Sequence, residues 1–503
     1  MDTMFLYNSH LDPIGANLRG KVQKQAPQTP RRGAKKLADT ALKSPSGGFS
    51  LLYFRVPFVK KWLYSICRRN YSSWRYNPQT RSIAMKRKKS LKRAVVNGKT
   101  LIVAIDVGYT VHWGYFRSPD GDEKEPFPFY TTRHSFETFW DDIGDFQRRH
   151  GLSKVVVGFE STGPYAEPLI HFFTKKPVEL VQVNPMHTKR LKELTGNSPN
   201  KTDEKDPRVI ADIIALGHGL SVVVPQGMAA ELRRLTHARE RAINDLTAKS
   251  NQLRQLVFVI FPEFYTIMKK TASKSALFLL KHYPLPEAVV AIGLDTLAGQ
   301  LRRISRGRFG KQQARELIEA ASLSVGITQG AASVVLEIGH LIDHIERTQQ
   351  FIIELEHTMQ ECLRHIPWSQ NLLSIRGIGM IIVAGLIGEV GDFRWFRTFK
   401  ELEKLAGLDL YEISSGARKG QRRISKRGRP LMRKLLYCAA LNTVRTNGIM
   451  YHPYHRMLDR EKPKVKAVVA IARKLLRIIY ALVRDNTVFD RIHCLESTIK
   501  NVA

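Results

Sequence analysis

Four carboxylates in this chain have the spacing to hold a hard divalent cation: Asp106, Glu160, Asp203 and Asp206. Asp106 follows the apolar run Leu101–Ile105, and Glu160 follows Val155–Phe159. Asp203 and Asp206 are three apart in Lys201-Thr-Asp-Glu-Lys-Asp206, so on a helix they share one face. Carboxylates at strand ends converge above a sheet, where one or two bound metal ions polarise a phosphate and activate an attacking oxygen. Asp106-Val-Gly108 and Glu160-Ser-Thr-Gly163 repeat one design, a glycine admitting close approach of backbone or metal. The competing reading is that these carboxylates only neutralise lysines, and Lys201 and Lys205 flank the second pair. Glu204 reads as a solvent-facing bystander.

A second chemical segment comes some two hundred residues later. Ser415-Gly416 leads into Arg418, Lys419, Arg422, Arg423, Lys426, Arg427 and Arg429. A serine hydroxyl becomes a nucleophile only where a base, a metal or clustered cations favour its alkoxide. These cations could bind a scissile phosphate and the charge of its transition state. The same stretch also reads as a phosphate-gripping loop in which Ser414 and Ser415 merely donate hydrogen bonds, and the residues alone leave both readings open.

The elements that must carry these groups follow from periodicity. Leu101–Ile105 and His112–Phe116 predict a hairpin pair around Gly108, Lys154–Phe159 a buried strand and Glu179–Val183 another. Pro207–Leu216 predicts a helix with Asp203 and Asp206 at or before its start, completing an α/β layout over about residues 98–225. In residues 226–368, near-heptad spacing predicts two long helices. One runs from Ala229 to Phe258 through Leu232, Leu235, Ala242, Leu246, Leu253 and Leu256. The other runs from about Ala332 to Ile366 through Val335, Ile338, Ile342, Ile345, Ile352 and Leu355. Such seams form an antiparallel coiled coil, a dimer contact or packing within one subunit. A mainly α-helical part, 369–485, opens with Ser374-Ile-Arg-Gly-Ile-Gly379 and the apolar run Met380–Ile387. That motif resembles a helix-hairpin-helix element, whose glycine turn offers backbone N–H groups to a phosphate, or else is an ordinary helix–helix turn. Residues 1–97 read as a basic, poorly ordered extension, with Met85 as an alternative start, and 486–503 as a tail.

The chain of 503 residues carries 80 Lys and Arg against 45 Asp and Glu, a formal charge of +35, which points to a polyanion partner. Its four cysteines, Cys67, Cys362, Cys438 and Cys494, have no spacing suited to a zinc site or disulfide framework. The most apolar N-terminal stretch, Phe49–Ile66, is broken by Arg55, Lys60 and Lys61, which excludes a membrane span there. The expectation is a soluble cytoplasmic protein with reduced thiols.

Three motifs together resemble the DEDD-type insertion-sequence transposases, the group related to the Piv and MooV DNA invertases. They are Asp106-Val-Gly108, the Lys201–Asp206 acidic motif running into a helix, and Ser415-Gly416 before Arg423-Ile-Ser-Lys-Arg-Gly428, within roughly residues 100–450. The resemblance implies an RNase H-like (RuvC-like) domain joined by a coiled coil to a C-terminal transposase domain. It implies magnesium on Asp106, Glu160, Asp203 and Asp206, and Ser415 as the nucleophile of a transient phosphoserine link to DNA. It further implies a homo-oligomer, a dimer or tetramer with sites shared between subunits, and in some members a structured RNA encoded by the element. Two features depart from the family pattern: Leu410 stands where proline is frequent, and the extension before Thr100 has no counterpart. Two rival expectations remain: a junction-resolving nuclease in which the carboxylates activate water, and a packaging protein with no chemistry.

Overall fold

A computed structural model describes residues 96–160, 163–195, 205–412, 420 and 422–490. Asp203, Ser414, Ser415, Arg418 and Lys419 lie outside these residues, as do the basic extension up to residue 95 and the tail from 491.

The N-terminal part is a mixed sheet of five strands with a two-residue sixth at its edge. The strands are β1 (Thr100–Asp106), β2 (Val111–Arg117), β3 (Glu123–Tyr130), β4 (Lys154–Glu160), β5 (Glu179–Val183) and β6 (Leu220–Ser221), in the spatial order β3-β2-β1-β4-β5-β6. β1, β4 and β5 run parallel, while β2, β3 and β6 pair antiparallel with their neighbours. This arrangement is compatible with an RNase H-like fold. β1 and β4 read as unbroken apolar runs because both faces are covered. Leu101, Val103 and Ile105 pack with Val155, Val157 and Phe159 against α1 (Arg133–Arg149) and α2 (Glu167–Phe173). Ile102, Ala104 and Val156 pack on the other face against Val209, Ile210, Ile213 and Ile214 of α4 (Lys205–Ala215), which follows α3 (Pro185–Thr195).

The two predicted long helices are α5 (Met228–Ile260) and α11 (Ala331–Arg364). They pack against each other within one chain. Cross-links at Arg239–Glu356 (2.8 Å), Asp245–His344 (2.7 Å) and Gln252–Glu337 (3.1 Å) step up one helix and down the other, so the pair is antiparallel. Between them lie five helices that the heptad pattern did not anticipate: α6 (Phe264–Ile267), α7 (Lys274–His282), α8 (Pro286–Ala291), α9 (Leu294–Ile304) and α10 (Lys311–Ser322). Their apolar residues, Leu279, Leu297 and Leu317 among them, close a core with Leu253 and Ile260 of α5 and Ile338 and Ile342 of α11.

The remainder is mainly helical: α12 (Ser369–Leu373), α13 (Met380–Val390), α14 (Phe399–Leu405), a two-stranded hairpin of β7 (Leu410–Tyr411) and β8 (Arg423–Ile424), then α15 (Pro430–Thr443), α16 (Tyr451–Leu458) and α17 (Lys464–Asp485). The Ser374–Gly379 motif connects α12 to α13, whose residues from Ile382 to Val390 are all buried. That degree of burial explains the apolar run. α13 lies so close on α5 that a Cβ at Gly388 would stand 2.7 Å from the Arg233 backbone nitrogen, a spacing only glycine allows.

Candidate active site

Asp106 and Glu160 end neighbouring parallel strands. The register pairs Ile105 with Phe159 and Glu160 with Val183, so the next residue along β1 and β4 is a carboxylate in both. Side chains alternate between the faces of a strand, which puts Asp106 with Ile102 and Ala104, and Glu160 with Val156 and Gly158, on the face that α4 covers. Both residues are partly exposed. Gly108, predicted to allow close approach, does so for backbone: a Cβ there would meet the Val111 carbonyl oxygen at 2.1 Å, where the turn between β1 and β2 closes.

The direction of α4 brings a third carboxylate to the same end. Arg208 lies over the ring of Tyr115, which is paired with Ala104, and Asp212 bonds at 2.7 Å to Arg117, which is paired with Ile102. The helix therefore runs antiparallel to β1, and its N-terminal Asp206 falls at the carboxyl end of that strand. A carboxylate in the first turn also suits the positive end of the helix dipole. Asp206 is 9 % exposed and pairs with Lys192 of α3. The cation beside it thus comes from α3, whereas sequence proximity had suggested Lys201 or Lys205. Among the described residues no group of three His, Cys, Asp or Glu side chains is gathered tightly enough for a metal ion. The fourth member of the expected set, Asp203, lies outside them.

The serine segment forms the connection between β7 and β8, strands paired as Leu410 with Ile424 and Tyr411 with Arg423. At its base Ser425 Oγ donates to Asp409, and the Ser425 N–H donates at 2.8 Å to the Asp409 carbonyl. Arg422 bonds Glu412 across the hairpin at 2.8 Å, while Arg423, Lys426 and Arg427 are exposed. Arg427 Nη2 lies 3.8 Å from the sulfur of Met186, in the first turn of α3 just beyond β5. That contact sets the foot of the hairpin beside the sheet end that carries the carboxylates.

Arg429 has a different environment. Its guanidinium donates to the carbonyls of Glu389 and, at 2.6 Å, of Val223, and it stands 3.7 Å from the Glu389 carboxylate. Burial pushes its pKa down to about 10; the charge of Arg233 adds to this and that of Glu389 opposes it. Glu389 itself is 2 % exposed, bonded at 2.7 Å to His237 and 3.1 Å from Arg233. Its burial favours the neutral acid, but the His237 hydrogen bond and the charges of Arg233 and Arg429 outweigh it and hold the carboxyl below its ordinary range.

Sequence reasoning missed this buried cluster, whose members are spread over α5, α13 and the start of α15, and also missed Lys192. It also passed over Tyr109 and Tyr165, whose rings meet edge-to-face with centroids 5.3 Å apart. Their position three and five residues after the two strand-end carboxylates was available as a signal.

Two known families match the chain. Residues 103–262 match the IS110 DEDD transposases, described as "Transposase", and residues 369–455 match "Transposase IS116/IS110/IS902 family". The insertion element IS900 uncharacterized 42 kDa protein of Mycobacterium paratuberculosis is 28 % identical over 294 residues, 58 % of this chain and 73 % of that one. The insertion element IS110 uncharacterized 43.6 kDa protein of Streptomyces coelicolor is 25 % identical over 393 residues, 78 % of this chain and 95 % of that one. The pilin gene-inverting protein of Moraxella lacunata is 31 % identical over 158 residues, 30 % of this chain and 49 % of that one. Among the described residues no helix is long and apolar enough to cross a membrane.

Proposed function

We infer that this chain, by its two family matches an insertion-sequence transposase of the IS116/IS110/IS902 family, cuts and rejoins DNA through the carboxylates of a RuvC-like domain and Ser415 in the C-terminal part. The observation that supports the reading is that Asp106, Glu160 and the N-terminal Asp206 of α4 share one end and one face of the sheet. Asp106, Glu160, Asp203 and Asp206 would hold magnesium, an all-oxygen set suited to a hard cation, and the Lys192 amine already supplies Asp206 with the positive charge an ion would bring. When bound, the ion polarises the scissile phosphate and stabilises its developing charge.

The remaining steps belong to the chain's own residues. Arg418, Lys419, Arg422, Arg423, Lys426 and Arg427 grip the DNA backbone, and Arg429 fixes the hairpin base from inside. Ser415 Oγ forms a bond to phosphorus as the bond from phosphorus to a deoxyribose oxygen breaks, and the serine proton passes by way of solvent to that departing oxygen. A second deoxyribose hydroxyl then attacks the phosphoserine, restoring the serine and the phosphodiester. One ester bond is exchanged for another at each step, so no outside energy source is required. We take the working form to be a homo-oligomer, dimer or tetramer, with an element-encoded RNA as a candidate second polyanion on the basic surface.

The test is to incubate protein, magnesium and end-labelled DNA of the element junction, with and without its transcript, then denature and look for label on protein. A covalent adduct lost in both Ser415→Ala and Asp106→Ala supports the serine mechanism. Cleavage that survives Ser415→Ala identifies a water-activating nuclease instead. An adduct recovered on mixing the two variants shows a site built across subunits.

A further inference from the structure

Among the described residues from 96 to 193 the large apolar side chains that stand in solvent are four: Tyr109 (74 % exposed), Tyr130 (54 %), Tyr165 (46 %) and Met186 (45 %). All four lie at one end of the sheet. Tyr109 follows β1, Tyr165 follows β4 and Met186 follows β5. Tyr130 ends β3 opposite Val111, the first residue of β2, which pairs near the carboxyl end of β1. The sheet's interior rings, such as Phe116, Phe139 and Phe173, are by contrast almost wholly buried. Leaving several large rings in water costs free energy unless a partner covers them, and their collection at the carboxylate end marks that end as a binding surface.

We propose that Tyr109 and Tyr165 form a stacking platform for an unpaired nucleobase of the DNA strand cleaved at Asp106 and Glu160. The proposal rests on the DNA-cutting reading above and adds a residue-level contact to it. The edge-to-face contact, 5.3 Å between centroids with planes at 79°, braces the two rings against each other. An aromatic face accepts any base, so such a platform grips a strand without reading its sequence. Three residues of extended chain span at most about 10 Å, which bounds the distance from Asp106 to Tyr109. At about 3.4 Å per nucleotide step, the stacked base belongs to a nucleotide within roughly three of the cleaved phosphate. A base can reach exposed rings only when unpaired, so the platform would favour a locally opened duplex over an intact one.

The probe is a DNA duplex with a short unpaired bubble carrying 2-aminopurine at each bubble position in turn, bound to the full chain in magnesium. At one or two positions the wild type should quench the fluorophore. Tyr109→Ala and Tyr165→Ala should lose that quench and bind the bubble about tenfold more weakly. Tyr109→Phe and Tyr165→Phe should keep both, because the ring face and not the hydroxyl makes the contact. Binding to intact duplex should change little in any variant. Asp106→Ala should keep the quench while losing cleavage, which separates the platform from the cutting reaction. Quench and affinity unchanged in the alanine variants, at unchanged melting temperature, would overturn the platform alone. So would Phe variants that fail like Ala, or alanine variants that alter only sedimentation, which would assign the rings to a protein contact. A wild type that binds and quenches but never cleaves would overturn the cutting reading and leave the platform standing. No binding of the bubble at all would overturn both.

Discussion

At the sheet end, Asp106 and Glu160 are partly exposed on neighbouring strands, whereas Glu389 is 2 % exposed among His237, Arg233 and Arg429. Both regions put carboxylates into a chain of charge +35, but they solve different problems. Glu389 is sealed where three helical elements meet, and its negative charge offsets two partly buried guanidiniums whose desolvation would otherwise be costly. The strand-end carboxylates stay within reach of water, where an incoming ion or phosphate can find them. A carboxylate that organises a joint is therefore told apart by access from one that stands open to a ligand.

The sharpest way to break the comparison is Asp106→Asn. If the sheet end is chemical and not structural, strand cleavage in magnesium should fall at least about a thousandfold, the scale on which lost charge stabilisation acts. The melting temperature should move little, because a partly exposed strand-end group carries little of the core. A variant that melts much earlier, or that cuts at the wild-type rate, would place Asp106 in the same class as Glu389.

Glu389→Gln should show the reverse pattern. Removing one partner of a buried ion cluster leaves Arg233 and Arg429 uncompensated, at a cost of about 3–5 kcal/mol. In a domain of this size each kcal/mol lowers the melting temperature by roughly 2–4 °C, so a fall near 10 °C is expected by calorimetry. An unchanged melting temperature would show the cluster to be dispensable. Gly388→Ala tests the same joint by volume, not charge. The added methyl meets the Arg233 backbone and should cost about 1–3 kcal/mol by urea titration, since two helix backbones must separate.

The contrast also explains what was legible in the sequence. Asp106 and Glu160 end short unbroken apolar runs, which identify a strand covered on both faces and its end, so position along the chain gave position in space. The limits predicted for β5 match, and those for β4, α4, α5 and α11 shift by a few residues. β3 escaped because Glu123–Tyr130 contains Pro126 and Pro128, which read against a strand and are tolerated here because β3 is the sheet's edge. Helices α6 to α10 were hidden in a stretch read only for its two long seams. The Glu389 cluster had no local signature: His237 is 152 residues from Glu389 in sequence, and only the crossing of α5 and α13 brings them together. Arg429 sits in a run of cations that all read as DNA-facing, yet its guanidinium is spent on two internal carbonyls, a distinction that depends on the tertiary position of Val223 and Glu389.

The smallest effect expected is acid sensitivity, and it sharpens the comparison because it depends on a single group. The folded pKa of Glu389 lies below its ordinary value near 4.5, so the unfolded chain binds this proton more readily than the folded one. Its contribution to stability is then fully present above the ordinary carboxylate range and is lost as pH falls through the folded value. Each unit of separation between the two pKa values corresponds to about 1.4 kcal/mol. The groups facing Glu389 are Arg233 and His237 on α5 and Arg429 at the start of α15, and both arginines stay charged throughout this window. Melting curves of wild type and Glu389→Gln taken from pH 6 down to pH 3 should therefore converge, since protonated Glu389 and glutamine both leave the arginines without a counter-charge. If the two curves instead fell in parallel, the acid loss would come from other carboxylates, and the buried cluster would not be held together by the charge of Glu389.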